Sequence, residues 1–113
     1  MLQDLAEELH VSKFTVVDLF CGAGGLSLGL TRAGFKVLLA IDSWDKAIAT
    51  YSRNIGTHAQ LGSVNYDSTL PVATVFVGGP PCQGFSSAGK RDGSDQRNTL
   101  VAVFSRIVAK HQP

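Results

Sequence analysis

Apolar residues along this chain switch between helical and extended spacing. Leu2, Leu5, Ala6 and Leu9 recur at helical intervals, predicting a short amphipathic helix over residues 2–10. Thr15-Val16-Val17-Asp18-Leu19-Phe20 is a β-branched, apolar run that predicts a buried strand. A helix is expected over residues 25–33, stopped by Gly34 as its C-cap. Lys36-Val37-Leu38-Leu39-Ala40-Ile41 predicts a second strand, and residues 45–54 a second helix closed by Gly56. Residues 57–73 are weakly patterned, with at most a short strand near Leu61 to Val64. A further strand is expected over 74–77 and a polar, glycine-containing loop over 84–97. The last helix is expected over 98–110, with Leu100, Val101, Phe104, Ile107 and Val108 on one face. Strands that are continuously apolar and alternate with helices predict an α/β fold, a parallel sheet covered on both sides.

Composition narrows this picture. The chain has 113 residues, enough for one domain, and 44% of them are apolar, enough for a core. Its net charge is +1 with no basic block, so it lacks the positive footprint of a complete DNA-binding enzyme. Two cysteines, Cys21 and Cys82, are too few for a disulfide framework. The N-terminal residues are acidic and not continuously apolar, unlike a signal peptide. No apolar run is long enough to span a membrane. A cytoplasmic location is expected, and no membrane or metal partner.

The run Gly78-Gly79-Pro80-Pro81-Cys82-Gln83-Gly84-Phe85-Ser86-Ser87 follows the strand-like Thr74-Val75-Phe76-Val77. Two prolines hold the cysteine in a stiff loop, which suits a thiolate nucleophile. A proline-rich turn with a buried cysteine is the plain alternative. A second motif lies between the first strand and its helix: Asp18-Leu19-Phe20-Cys21-Gly22-Ala23-Gly24-Gly25-Leu26. Its GxGG spacing is neither the dinucleotide fingerprint nor a phosphate loop, and an ordinary tight turn between a strand and a helix is the plain alternative. Asp42 ends the second strand, where an acid can accept hydrogen bonds from a ribose; a helix N-cap is the other role open to Asp42 or Ser43.

Together these segments resemble the DNA (cytosine-5) methyltransferase family. The resemblance covers essentially residues 14–113, with residues 1–13 as an N-terminal helical extension. It implies a Rossmann-like, S-adenosylmethionine-dependent methyltransferase fold, here the N-terminal part of the catalytic domain with its sheet truncated at the C-terminus. It implies Cys82 as the catalytic nucleophile, adding to C6 of a cytosine rotated out of duplex DNA. It implies a cofactor site drawn from Asp18, Phe20, Gly22, Gly24, Gly25, Leu26, Asp42, Ser43, Pro80, Asn98 and Leu100. It implies substrate contacts at Pro81, Ser86, Ser87, Lys90 and Arg91; Ser86 and Ser87 are equally readable as caps of the loop, and Lys90 and Arg91 as surface charges. Trp44 is read as a helix residue covering core, with a place beside the adenine as the alternative. Cys21 is read as packing. Ser63 departs from the family, which has an acid there.

The family's N3 proton donor is a glutamate in a Glu-Asn-Val motif. The only glutamates of this chain, Glu7 and Glu8, precede the first strand. The target-recognition domain is also missing. The expectation is therefore a fragment, a partial record or one half of a split enzyme, silent alone and partnered by a C-terminal methyltransferase segment. The strand at 75–77 is expected to be an uncovered edge. An RNA cytosine-C5 methyltransferase, a non-catalytic cofactor-binding remnant and a structural subunit of a larger complex stay open as alternatives.

Overall fold

A computed structural model describes residues 14–80 and 96–113 of the chain, with the side chains of residues 96–99 left aside. The described residues form four strands and three helices, in the order β1 (Thr15–Leu19), α1 (Gly25–Arg32), β2 (Lys36–Asp42), α2 (Asp45–Asn54), β3 (Ala59–Leu61), β4 (Val75–Gly78) and α3 (Gln96–His111). All pairings are parallel and the sheet order is β3-β2-β1-β4. This is an α/β, Rossmann-like core. The expected helix over 2–10 and most of the expected loop over 84–97 lie outside the described residues.

The apolar runs are explained by two covered faces. Along β1, Val16 packs toward α1 and α2, with Tyr51, Leu30 and Ile48. Val17 and Leu19 pack the other way, against Ile107, Phe104 and Val108 of α3. A strand buried on both sides has no polar face to show, so its sequence does not alternate. β2 carries a bulge: Val16 pairs with Val37 but Val17 with Leu39, so Leu38 has no partner on β1. The extra residue puts Leu38 and Leu39 against the same α3-side cluster.

α1 ends as its sequence predicts. Gly34 takes a left-handed φ of 100°. Its N–H donates to Thr31 and that of Phe35 to Leu30, the paired bonds of a Schellman turn. α2 ends differently. Gly56 is not left-handed; the turn is made at Ile55, with φ −122° and ψ −56°, and Ile55 N–H donates to the Tyr51 carbonyl. β3 lies two residues earlier than expected. It pairs with β2 up to Asp42–Leu61, and Val64 is a buried core residue beyond the strand. α3 begins at Gln96, two residues before the predicted start. Among the described residues β4 pairs only with β1 and forms an edge of the sheet.

Candidate functional site

Three left-handed residues, all within the five that follow β1, bend the chain into α1. They are Phe20 and Gly22, each at φ 56°, and Gly24 at φ 103°. Glycine takes this conformation without cost, whereas Phe20 does not. The turn is held by Cys21 N–H donating to the Ile41 carbonyl at 2.9 Å and Gly24 N–H to that of Cys21 at 3.1 Å. Gly24 is also sterically required: a Cβ there would collide with Ile55 Cδ1 and lie 2.6 Å from Tyr51 Cδ2. At Gly22 the reverse holds, since a Cβ would find no atom within 4 Å. The chain thus leaves open space beside Gly22 and none beside Gly24.

Beneath the turn lies a buried polar chain. Asp18 is 1% exposed and accepts the Ser27 hydroxyl at 2.5 Å. Burial pushes its carboxyl pKa up; the Ser27 hydroxyl opposes this, and the negative Asp42 adds to it. Burial, then the Asp18 and Asp42 carboxylates, push the Cys21 thiol up to about 12, and the thiol points at the Gly22 carbonyl. Tyr51 is fully buried and its hydroxyl meets His58 Nε2 at 2.6 Å. Burial raises the pKa of Tyr51 and lowers that of His58, so both stay neutral near pH 7.

Above the turn, at the carboxyl ends of the strands, is a cleft of about 410 Å³. Ligands of open α/β sheets bind in this place. Its walls are Phe20 and Gly22 on the β1 side, Asp42, Ser43 and Trp44 at the end of β2, Gly62, Ser63 and Val64 beyond β3, Gly79 after β4, and Leu100 of α3. Asp42 ties two of these walls together. Its Oδ1 accepts Gly22 N–H at 3.2 Å and its Oδ2 accepts Trp44 N–H at 3.1 Å. Each oxygen keeps a lone pair for a ligand. Among the described residues that line the cleft, Asp42 is the only charged one. The free lone pairs of the Asp42 carboxylate suit the hydroxyls of a nucleoside or a positively charged ligand.

The structure brings Phe20, Gly22, Asp42, Ser43 and Leu100 together in this cleft. Asp18 and Gly24 instead support the turn from below. Gly25 and Leu26 begin α1, where Leu26 is 48% exposed, and Pro80 follows the cleft residue Gly79. Asn98 lies on α3 with its side chain left aside; Pro81, Cys82, Ser86, Ser87, Lys90 and Arg91 lie outside the described residues. Trp44 corrects the sequence reading: it is 62% exposed and covers no core, because it is the N-cap of α2 and borders the cleft. Neither Asp42 nor Ser43 is the N-cap, and no side chain caps that helix. Val64 and Gly79 were not legible as cleft residues; their place depends on where β3 and β4 stop.

Comparison with known proteins follows the same outline. The family model for C-5 cytosine-specific DNA methylases matches residues 14–113. The type II methyltransferase M.HgiGI of Herpetosiphon aurantiacus is 43% identical over 103 residues, covering 86% of this chain and 82% of that protein. M.HgiDI of the same organism is 43% identical over 86% of this chain, which spans 33% of that protein. M.HindV of Haemophilus influenzae is 42% identical, and the chain spans 34% of its length. A crystal structure from E. coli, described as a DNA modification methyltransferase encoded within a prophage, superimposes with a TM-score of 0.71. It is 37% identical, over 88% of this chain and 30% of that one. The chain therefore spans about a third of the length of M.HgiDI and M.HindV and most of M.HgiGI. With the GxGG turn, the Asp42 link and the family match over residues 14–113 in agreement, the chain belongs to the C-5 cytosine-specific DNA methylase family.

Proposed function

We propose that this chain supplies the cofactor cleft and the nucleophile of an enzyme that methylates C5 of cytosine in duplex DNA. The observation that carries the reading is Asp42 in the cleft wall, joined to Gly22 and Trp44 and keeping a lone pair on each oxygen for a ligand. S-adenosylmethionine fits that donor set: it has ribose hydroxyls for the free lone pairs of Asp42, an adenine for the Phe20 and Trp44 rings, and no phosphate. The open space beside Gly22 lets a ligand approach the backbone. When bound, the cofactor supplies an activated methyl group.

The chain's own chemistry rests on Cys82. Only Pro80 and Pro81 separate it from Gly79 at the cleft edge, and three residue steps reach at most ~11 Å. Its thiolate adds to C6 of the flipped base, forming a C–S bond and moving an electron pair to C5. C5 then takes the methyl group. Loss of the C5 proton re-forms the C5–C6 double bond and expels the thiolate. Pro80 and Pro81 fix the loop; Ser86, Ser87, Lys90 and Arg91 are assigned to the DNA side. The N3 proton donor is assigned to a C-terminal segment, as the chain spans only a third of M.HgiDI and M.HindV.

The test is transfer of labelled methyl groups to duplex DNA and to tRNA, with product nucleosides resolved by mass spectrometry. Label in 5-methylcytosine of DNA supports the proposal. Label confined to tRNA, or to another position of the base, overturns it.

A further inference from the structure

The buried polar chain beneath the glycine turn reaches both sides of the cleft through one residue. The Tyr51 ring lies under the turn, filling the space a side chain at Gly24 would need. That turn carries Phe20 and Gly22, the β1 wall of the cleft. The Tyr51 hydroxyl bonds His58 Nε2 at 2.6 Å, and the two rings meet edge-on, 5.2 Å apart at 87°. His58 stands just before β3, its carbonyl accepting Ala40 N–H at 3.5 Å. β3 leads directly to Gly62, Ser63 and Val64, the facing wall. Neither Tyr51 nor His58 lines the cleft.

Packing alone does not explain a tyrosine here. A phenylalanine would fill the same space and would bury no hydroxyl. A buried hydroxyl lowers stability unless it is bonded, and this one is bonded to a ring in the support of the opposite wall.

We propose that Tyr51 is a positioning residue: its ring sets the glycine turn, and its hydrogen bond to His58 fixes the distance between the two walls of the cleft. The proposal rests on the reading of the cleft as the S-adenosylmethionine site. Its consequence is selective. Releasing the bond loosens cofactor binding and leaves the rate of the chemical step unchanged.

The experiment is steady-state methylation of duplex DNA by the assembled methyltransferase carrying Tyr51→Phe, His58→Gln, His58→Leu or Ile107→Val. Thermal unfolding of each variant is followed in parallel. Tyr51→Phe is expected to raise the KM for S-adenosylmethionine about 5–10-fold, with kcat and the KM for DNA within about twofold. His58→Gln keeps an acceptor near the position of Nε2 and should stay close to wild type, whereas His58→Leu should reproduce Tyr51→Phe. Ile107→Val, in the core on the opposite face, should lower the unfolding temperature without changing that KM. An unchanged KM in Tyr51→Phe, or an equal rise in Ile107→Val, overturns the proposal. A wild-type enzyme whose rate shows no saturable dependence on S-adenosylmethionine overturns the cleft reading and this proposal with it.

Discussion

The backbone N–H of Gly22 donates to Asp42 Oδ1 at 3.2 Å, joining the first strand's turn to the end of the second strand across twenty residues. One carboxylate therefore shapes the cleft and presents lone pairs into it. Removing it should do two things at once: free two backbone N–H groups and remove the acceptors for a ribose. Asp42→Ala should weaken S-adenosylhomocysteine binding by about 2–3 kcal/mol, and Asp42→Asn by less, since one acceptor remains. Titration calorimetry checks this; equal affinity in wild type and Asp42→Ala contradicts it.

Two neighbouring glycines should respond oppositely to alanine. At Gly24 the added Cβ meets Ile55 and Tyr51, and φ is 103°. Gly24→Ala should cost about 2 kcal/mol or more. Gly25 is the first residue of α1, with no atom within 4 Å of an added Cβ. Gly25→Ala should be neutral or stabilising by up to about 1 kcal/mol. Urea unfolding of both variants tests the pair.

Asp18 should show the sign of its burial in a pH series. Its folded pKa is raised above 3.8, so the folded state binds more protons than the unfolded state. Its contribution to stability is therefore largest below pH 3.8 and is lost as pH rises through the folded value. Asp18→Asn keeps an acceptor for Ser27 and carries no charge. It should match or exceed wild-type stability at pH 7, and the gap should close as pH falls. Asp18→Ala strands the Ser27 hydroxyl and should cost about 1–3 kcal/mol. A gap between Asp18→Asn and wild type that widens toward acid would show the sign to be wrong.

Cys21 should be chemically silent in the native protein. With its thiol pushed up to about 12, almost none is ionised at pH 8. Iodoacetamide at pH 8 should leave Cys21 unmodified until the chain is unfolded, as read by peptide mass mapping. Native labelling as fast as that of a free thiol would contradict the burial and charge argument.

Much of this was legible in the sequence because it depends on local chemistry. The Gly34 stop follows from one backbone conformation, and the GxGG turn with Asp42 twenty residues on follows from strand–helix spacing. What was not legible depends on pairing across the sheet. β3 stops at Leu61 because its register with β2 ends at Asp42, and no local pattern in residues 57–73 shows that. Leu38 and Leu39 face the same cluster only because β2 bulges against β1. Gly56 looks like a helix stop, yet Ile55 makes the turn where its side chain packs with Tyr51 toward Gly24. Trp44 reads as core by residue type and is exposed by position, since the chain there leaves β2 at the cleft.

The proposed chemistry turns on a covalent bond between Cys82 and cytosine. Duplex DNA containing 5-fluorocytosine at the target site tests it directly, because fluorine at C5 cannot leave as a proton does and the adduct persists. With the assembled methyltransferase and S-adenosylmethionine, a complex that survives denaturation should form, and its digest should place the nucleotide on Cys82. Cys82→Ser should give none. A stable adduct on another residue, or an equal yield from Cys82→Ser, would contradict the account.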